Sequence, residues 1–294
     1  MKYADNSFLQ DAIDIHIHVG PDYMPRYGNS IRLAEQAAAA GMKAIVIKGH
    51  LTSTVAAAEA ATQVVPGIKV FGGISLNEPS GELNPRAVMV AARSGGKMIW
   101  LPTVDAAYAI GKAKQGHWIG HYVDTSVFGY PRNGMTVLDE GGSLKASVLD
   151  ILQICKDYDV ILGTGHISPE ESLKLARAAK DMGYDKLEVT HPNAWLEDFT
   201  FEVMRELTAL GATLTLSYGV CSPQNGRQPV AEIAQIVREI GAQHCCLITD
   251  YGQVASPAPV EGYRVFCQQL ANAGISTEDL MLMTKENPGR LLSI

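Results

Sequence analysis

Eight short apolar stretches, each followed by a segment with helical spacing, predict an α/β chain built on a parallel sheet. Eight such repeats in 294 residues fit a (β/α)8 barrel of the TIM type. A third observation is where the polar residues fall. They gather at the C-terminal ends of the apolar stretches, the side on which such barrels carry their active sites. An open doubly wound sheet is the rival, but no G-x-G-x-x-G follows a strand, so its nucleotide-binding form lacks its fingerprint.

The first strand lies within Ala12–Gly20. Simple alternation puts Asp14, His16 and His18 on one face and Ile13, Ile15 and Ile17 on the other. A Pro/Gly-rich loop, Gly20–Ser30, carries Asp22, Tyr23, Arg26 and Tyr27. An Ala-rich helix, Ile31–Ala40, stops at Gly41. The second strand, Lys43–Ile47, runs into Lys48-Gly49-His50, and by parity Lys48 shares a face with Ala44 and Val46. A helix at about Thr54–Val65 is broken by Pro66-Gly67, and Ile68–Ile74 is the third strand. A helix at Asn84–Ser94 leads to the fourth strand, Lys97–Thr103.

The segment Val104–Leu144 departs from this rhythm. It carries His117 and His121 and ends in a stretch, Met135–Leu144, that reads as a small hairpin. An insertion of this length in a compact domain is more often a lid or binding loop than filler. The alternation then resumes with a helix at Lys145–Asp157 and a strand at Val160–Thr164 ending near His166. Ser168-Pro169 opens the helix to Met182, with Ser as cap. Strand Lys186–Thr190 ends at His191, helix Phe199–Ala209 follows, and strand Ala212–Ser217 leads into a polar loop, Tyr218–Gln228. Helix Val230–Ile240 precedes the eighth strand, Cys245–Thr249, which ends at Asp250. Helices at Val260–Ala273 and Thr277–Thr284 and the Asn287–Leu292 segment close the chain, which reads as one domain over residues 1–294.

A hydrophobic fraction of 47% and a charged fraction of 19% are those of an ordinary globular enzyme. The net charge of −7, with no basic stripe, argues against a nucleic-acid partner. No signal-peptide core and no bilayer-length apolar run is present, so no membrane association is expected. Five cysteines without a C-x-x-C spacing point to a reduced, cytoplasmic setting. The expected partner is a small-molecule substrate, and a homo-oligomer is compatible with the composition.

Taken singly, a buried His is more often a hydrogen-bonded core residue than a ligand. His16, His18, His166, His191 and Asp250 all stand at strand ends on one side, with Lys48, His50, Thr103 and Asp105 at a similar height. Together they point to a divalent metal site. Imidazole and carboxylate suit zinc, the default here, and also Mn, Fe or Ni.

These residues carry a resemblance. The sequence resembles the amidohydrolase superfamily of metal-dependent hydrolases, and its compact single-barrel bacterial members with no assigned reaction. That family has His-x-His on the first strand, His on the fifth and sixth, and Asp on the eighth. His16, His18, His166, His191 and Asp250 match those positions, and the Asn-Pro…Leu-Leu ending is similar too. The resemblance implies one or two ions. Binuclear members bridge them with a carboxylated lysine on the fourth strand, where this chain has Leu101-Pro102-Thr103. Lys48 on the second strand is then the candidate bridge, carboxylated with two ions or a plain ammonium with one.

The expected chemistry is hydrolysis of a small amide, cyclic amide, lactone or ester. The metal lowers the pKa of its bound water to about 7, and Asp250 serves as general base and then acid. Asp14 is expected to orient an imidazole from behind. Tyr23, Arg26, His50 and Asn193 are the expected substrate contacts. A metal-dependent decarboxylase of a small carboxylic acid is the alternative, favoured by a single ion. A non-catalytic metal-binding barrel is the third reading.

Overall fold

The computed structural model of the protein describes residues 6–120 and 134–294. Among the described residues, nine strands alternate with helices. They are β1 (Ile13–His18), β2 (Ala44–Lys48), β3 (Lys69–Phe71), β4 (Gly73–Ser75), β5 (Met98–Trp100), β6 (Ile161–Gly163), β7 (Leu187–Val189), β8 (Thr213–Ser217) and β9 (Cys245–Ile248). All pairings are parallel, in two sheets ordered β1-β2-β3 and β4-β5-β6-β7-β8-β9. The α/β class and the parallel arrangement agree with the sequence reading.

One expected strand is two. Residues 68–74 break at Gly72, and the halves join different sheets. At the break, Thr54 Oγ1 donates to Ile47 O (2.7 Å) and accepts from Gly73 N (3.0 Å), while Thr54 N donates to Gly73 O (2.9 Å). Gly73 packs so closely on β5 that a Cβ there would lie 2.0 Å from Met98 O. The helix that begins after Thr54 therefore bonds to both sheets at their junction.

The helices are α1 (Ser30–Ala39), α2 (Val55–Val64), α3 (Pro85–Arg93), α4 (Ala107–Lys114), α5 (Ala146–Asp157), α6 (Pro169–Asp181), α7 (Phe201–Ala209), α8 (Val230–Ile240), α9 (Pro259–Asn272), α10 (Thr277–Met281) and α11 (Asn287–Leu292). Ser168 caps α6 in a capping box with Glu171. Asn287 Nδ2 donates to Ala242 O and Cys245 O (2.9 and 2.7 Å), tying the C-terminal segment to the start of β9. No helix among the described residues is long and apolar enough to cross a membrane.

The strands separate two apolar clusters. Ile17, Ile45, Ile47, Leu162, Leu214 and Leu247 belong to the large cluster shared with the helices. Ile13, Ile15, Ala44, Val46, Trp100, Ile248 and the C-terminal Leu291 and Leu292 form the smaller one. Simple alternation in β1 does not survive, because its register against β2 shifts between Asp14 and Ile17. Ile13 and Ile15 therefore lie in the smaller cluster and Ile17 in the larger.

The insertion, expected to be a lid or binding loop, contains helix α4. The hairpin at 135–144 reduces to one antiparallel bridge, Leu138 with Leu144, around a turn in which Asp139 Oδ1 accepts from Gly141 N and Ser143 N (both 2.9 Å). His121 lies outside the described residues, as does the part of the candidate lid at 121–133.

Replacing Gly73 by Ala is expected to destabilise the protein by about 3 kcal/mol. Gly111→Ala, inside α4 with nothing near its ideal Cβ, is expected to stabilise by about 0.5–1 kcal/mol. Urea denaturation of the two variants checks both signs.

Candidate metal centre

The register shift in β1 turns both histidines of His16-Ile17-His18 towards Lys48, and His18 pairs with Lys48 across the strands. Beyond β9 the chain continues alongside β1. Asp250 N donates to His16 O (3.0 Å) and His18 N donates to Tyr251 O (2.7 Å). Gly252 then passes so close that a Cβ there would lie 2.0 Å from His18 O, with a φ of +130° that favours glycine. These backbone bonds place the Asp250 carboxylate beside the two imidazoles. Asp250 and His191 both hold positive φ, at 55° and 34°, a strain that non-glycine residues keep mainly where the surroundings enforce it.

Asp250 Oδ1 lies 3.0 Å from His18 Nε2 and 3.3 Å from His16 Nε2. Lys48 Nζ lies 3.1 Å from the same His16 Nε2. One ring nitrogen cannot both donate to a carboxylate and accept from an ammonium. A cation among the two imidazoles and the carboxylate removes the conflict, since every lone pair then faces it. The spacing fits: ligand atoms about 2.0–2.1 Å from a tetrahedral ion stand about 3.3 Å apart. His16, His18 and Asp250 are the one group of metal-binding type found among the described residues.

The cavity beside this group is about 20 Å³, room for a water-sized group. His18, Lys48, His50, His166, His191, Asp250 and Gln253 line it, together with Trp118 and Ile119 from the insertion. The His191 ring centroid lies 5.9 Å from that of His16 and 4.9 Å from that of His166. The two expected second-ion ligands thus flank the group without joining its tight cluster. The Nδ1 atoms of His16, His18, His166 and His191 are buried and have no hydrogen-bond partner among the described residues.

Burial dominates the electrostatics. It pushes the Lys48 amine down to about 8, against the attraction of Asp250 and Glu188. It holds His16, His18, His50 and His166 well below the usual imidazole range, and His191 at about 4. It raises Asp250, against the pull of His191 and Lys48. Burial also raises Glu188 on β7, opposed first by hydrogen bonds from Thr190 and Thr215, to about 7.

Asp14 does not orient an imidazole. The register shift directs it away from the histidines, and its carboxylate accepts from His16 N (3.1 Å), Thr249 N (3.2 Å) and Thr249 Oγ1 (2.5 Å). Asn193 is buried and its amide is engaged within the protein: Nδ2 donates to Ser217 O and Gln228 Oε1, and Oδ1 accepts from Ser217 N. That engagement argues against the expected substrate contact and for a brace between the β7 and β8 loops. Arg26 Nε and Nη2 donate to Asp22 Oδ2 (2.8 and 2.5 Å), while its buried Nη1 has no partner among the described residues. The Tyr23 ring lies 6.2 Å from His50. His117 does not line the cavity; it stacks on Trp195 at 4.7 Å.

The sequence reading missed Asn77, which lies two residues beyond β4. It is fully buried. Its Nδ2 donates to His50 O and Thr103 Oγ1 (both 2.7 Å), and its Oδ1 accepts from Thr103 N and Asp105 N (2.9 and 3.2 Å). The only available signal was a polar residue just past an apolar stretch, which is too common to single out.

A family of unknown function, DUF6282, matches residues 11–215. The chain belongs to the DUF6282 family. No curated protein sequence matches it. Solved amidohydrolase-type structures share its fold along nearly the whole length. A lactonase template engineered for organophosphate hydrolysis is 13% identical, with 96% of this chain and 95% of that one covered and a TM-score of 0.61. A zinc-bound amidohydrolase from Burkholderia multivorans is also 13% identical, with 96% and 99% covered and a TM-score of 0.56. A manganese-bound dihydroxybenzoic acid decarboxylase from Polaromonas sp. JS666 is 10% identical, with 97% of each chain covered and a TM-score of 0.59.

Zinc at 100 times its dissociation constant is expected to add about 2.7 kcal/mol to the stability of the metal-free protein. His18→Ala is expected to abolish that gain in a thermal-shift titration.

Glu188 supplies a second prediction. Its folded-state pKa near 7 exceeds the ordinary 4.5, so between these values the native state binds more protons than the unfolded state and stability falls as pH rises. The metal-free protein is therefore expected to lose about 3 kcal/mol relative to Glu188→Gln between pH 4 and 8. Denaturation midpoints measured across that range check this.

Proposed function

We propose that the protein is a metal-dependent hydrolase of a small amide, cyclic amide, lactone or ester. In this reading the two sheets close into a (β/α)8 barrel with the metal site at the C-terminal mouth of its strands. The observation that carries it is the convergence of His16 Nε2 and His18 Nε2 on Asp250 Oδ1, at 3.3 and 3.0 Å, with Lys48 Nζ 3.1 Å from His16 Nε2. Both named chemistries, lactonase and decarboxylase, occur on neighbours of this fold.

A divalent ion, zinc by default and Mn, Fe or Ni otherwise, supplies Lewis acidity and brings the pKa of water down to about 7. His16, His18 and Asp250 hold the more buried ion. His166 and His191 hold a second ion, or contact the reacting oxygen when there is one. Asp250 takes the proton released by the attacking water and returns it to the leaving group. Its burial raises its proton affinity and suits it to this exchange. Lys48, with its amine pushed down to about 8, offers a neutral nitrogen to CO2. An N–C bond forms and one proton leaves, and the resulting carbamate would add an anionic oxygen ligand beside His16. Tyr23, Arg26 and His50 face the substrate, and the unpaired Nη1 of Arg26 suits an anionic group on it. A small-molecule substrate, a cytoplasmic setting in keeping with five cysteines outside any disulfide, and a homo-oligomer complete the proposal; nucleic acid and membrane have no part in it.

The single-ion decarboxylase is the second reading. It is favoured by the tight cluster of only His16, His18 and Asp250 among the described residues, which leaves Lys48 as a plain amine.

Asp250→Asn is expected to keep most of its zinc and to lose activity by about 10²–10⁴-fold. Metal analysis beside hydrolysis assays on an ester and lactone panel checks this, and undiminished turnover sinks the base assignment. Metal analysis with and without bicarbonate is expected to show the second ion only with bicarbonate, and only while Lys48 is present.

A further inference from the structure

The hydrogen bonds around His50 fix which of its ring nitrogens carries the proton. Asn77 is assigned without ambiguity. Its Oδ1 faces two backbone N–H groups, Thr103 N and Asp105 N, which can only donate. Its Nδ2 faces His50 O, which can only accept. The second Nδ2 hydrogen therefore goes to Thr103 Oγ1 at 2.7 Å, and the hydroxyl is an acceptor there. The hydroxyl's own proton needs a partner, because Thr103 is fully buried. Its remaining hydrogen-bonding neighbour among the described residues is His50 Nδ1, at 2.9 Å. Nδ1 therefore accepts, and the ring's proton sits on Nε2. A doubly protonated ring would carry a proton on Nε2 as well.

The Nε2 edge lies opposite Thr103, and His50 lines the cavity beside the metal group. Its ring is 4.7 Å from that of His18 and 6.4 Å from that of His166. A nitrogen that carries a proton has no lone pair for a metal. We infer that His50 is a catalytic hydrogen-bond donor: its Nε2–H meets the substrate oxygen on which negative charge develops, and Asn77 and Thr103 are the positioning residues that lock this tautomer. The inference deepens the proposed function, on which it rests for the identity of that oxygen. It specifies a substrate that presents a carbonyl-type oxygen between the metal and His50. A donor held in advance needs no rearrangement as charge develops.

The test uses the zinc-loaded protein with ¹⁵N-labelled histidine. The His50 signals are identified by their loss in His50→Phe. The expected result is a protonated Nε2 and an unprotonated Nδ1. Thr103→Val is expected to give mixed tautomers, and Thr103→Ser to restore the wild-type pattern. A proton on Nδ1 in the wild-type protein overturns the inference, as does loss of zinc from His50→Phe. With p-nitrophenyl acetate as probe, His50→Phe is expected to lower kcat by about 10²–10³-fold with little change in KM. His50→Gln, which keeps an N–H donor, is expected to lose less. An unchanged kcat in His50→Phe overturns the role. If the wild-type protein does not hydrolyse the probe, the hydrolase reading fails on its own, and the tautomer is still decided by the labelled protein.

Discussion

The arrangement of the site depends on one irregularity in one strand. The shift of register between Asp14 and Ile17 converts a strand that would alternate throughout into two half-strands of opposite parity. The first half sends Ile13 and Ile15 into the smaller apolar cluster. The second sends His16 and His18 to the place where Lys48 and Asp250 meet them. Bulges commonly re-aim side chains beside active sites. Here the shift lets a single six-residue strand supply both an apolar floor and two imidazoles that meet Lys48 and Asp250.

Around that strand, burial and charge are balanced over short distances. Lys48, His16, His18, Glu188 and Asp14 are each at most about 1–3% exposed. Isolated charges so placed would be costly. The structure responds in two ways. Proton affinities move toward the neutral forms, as with Lys48 near 8 and Glu188 near 7. Hydrogen bonds hold the rest, as with the three donors on Asp14. The four unpartnered Nδ1 atoms remain outside this balance.

The sequence made the repeating α/β order legible because each strand is a compact apolar run and each helix has clear stops, such as Gly41 or the Ser168 cap. The polar residues past the runs were legible for the same reason: His18, Lys48, His166, His191 and Asp250 all line one cavity. What escaped was set by non-local geometry. The split of residues 68–74 depends on Thr54 reaching the junction from another element. The facing of Asp14 depends on a register that only the neighbouring strand defines. Helix α4 has an N-cap, Ala106, that makes no side-chain hydrogen bond, so nothing local announced its start. Asn77 earns its importance from four hydrogen bonds, all to residues more than 20 positions away in sequence.

The two ends of the insertion meet at its base. Ala107 N donates to Met135 O (2.8 Å), Met135 N donates to Asp105 O (2.7 Å), and Ala106 and Met135 form a parallel bridge. Glu171 on α6 fastens the same end by accepting from Val137 N (2.9 Å). Both attachment points are thus tied to the strand-and-helix frame. The base is closed mainly by backbone groups, so it holds whatever side chains stand at positions 105–107 and 135.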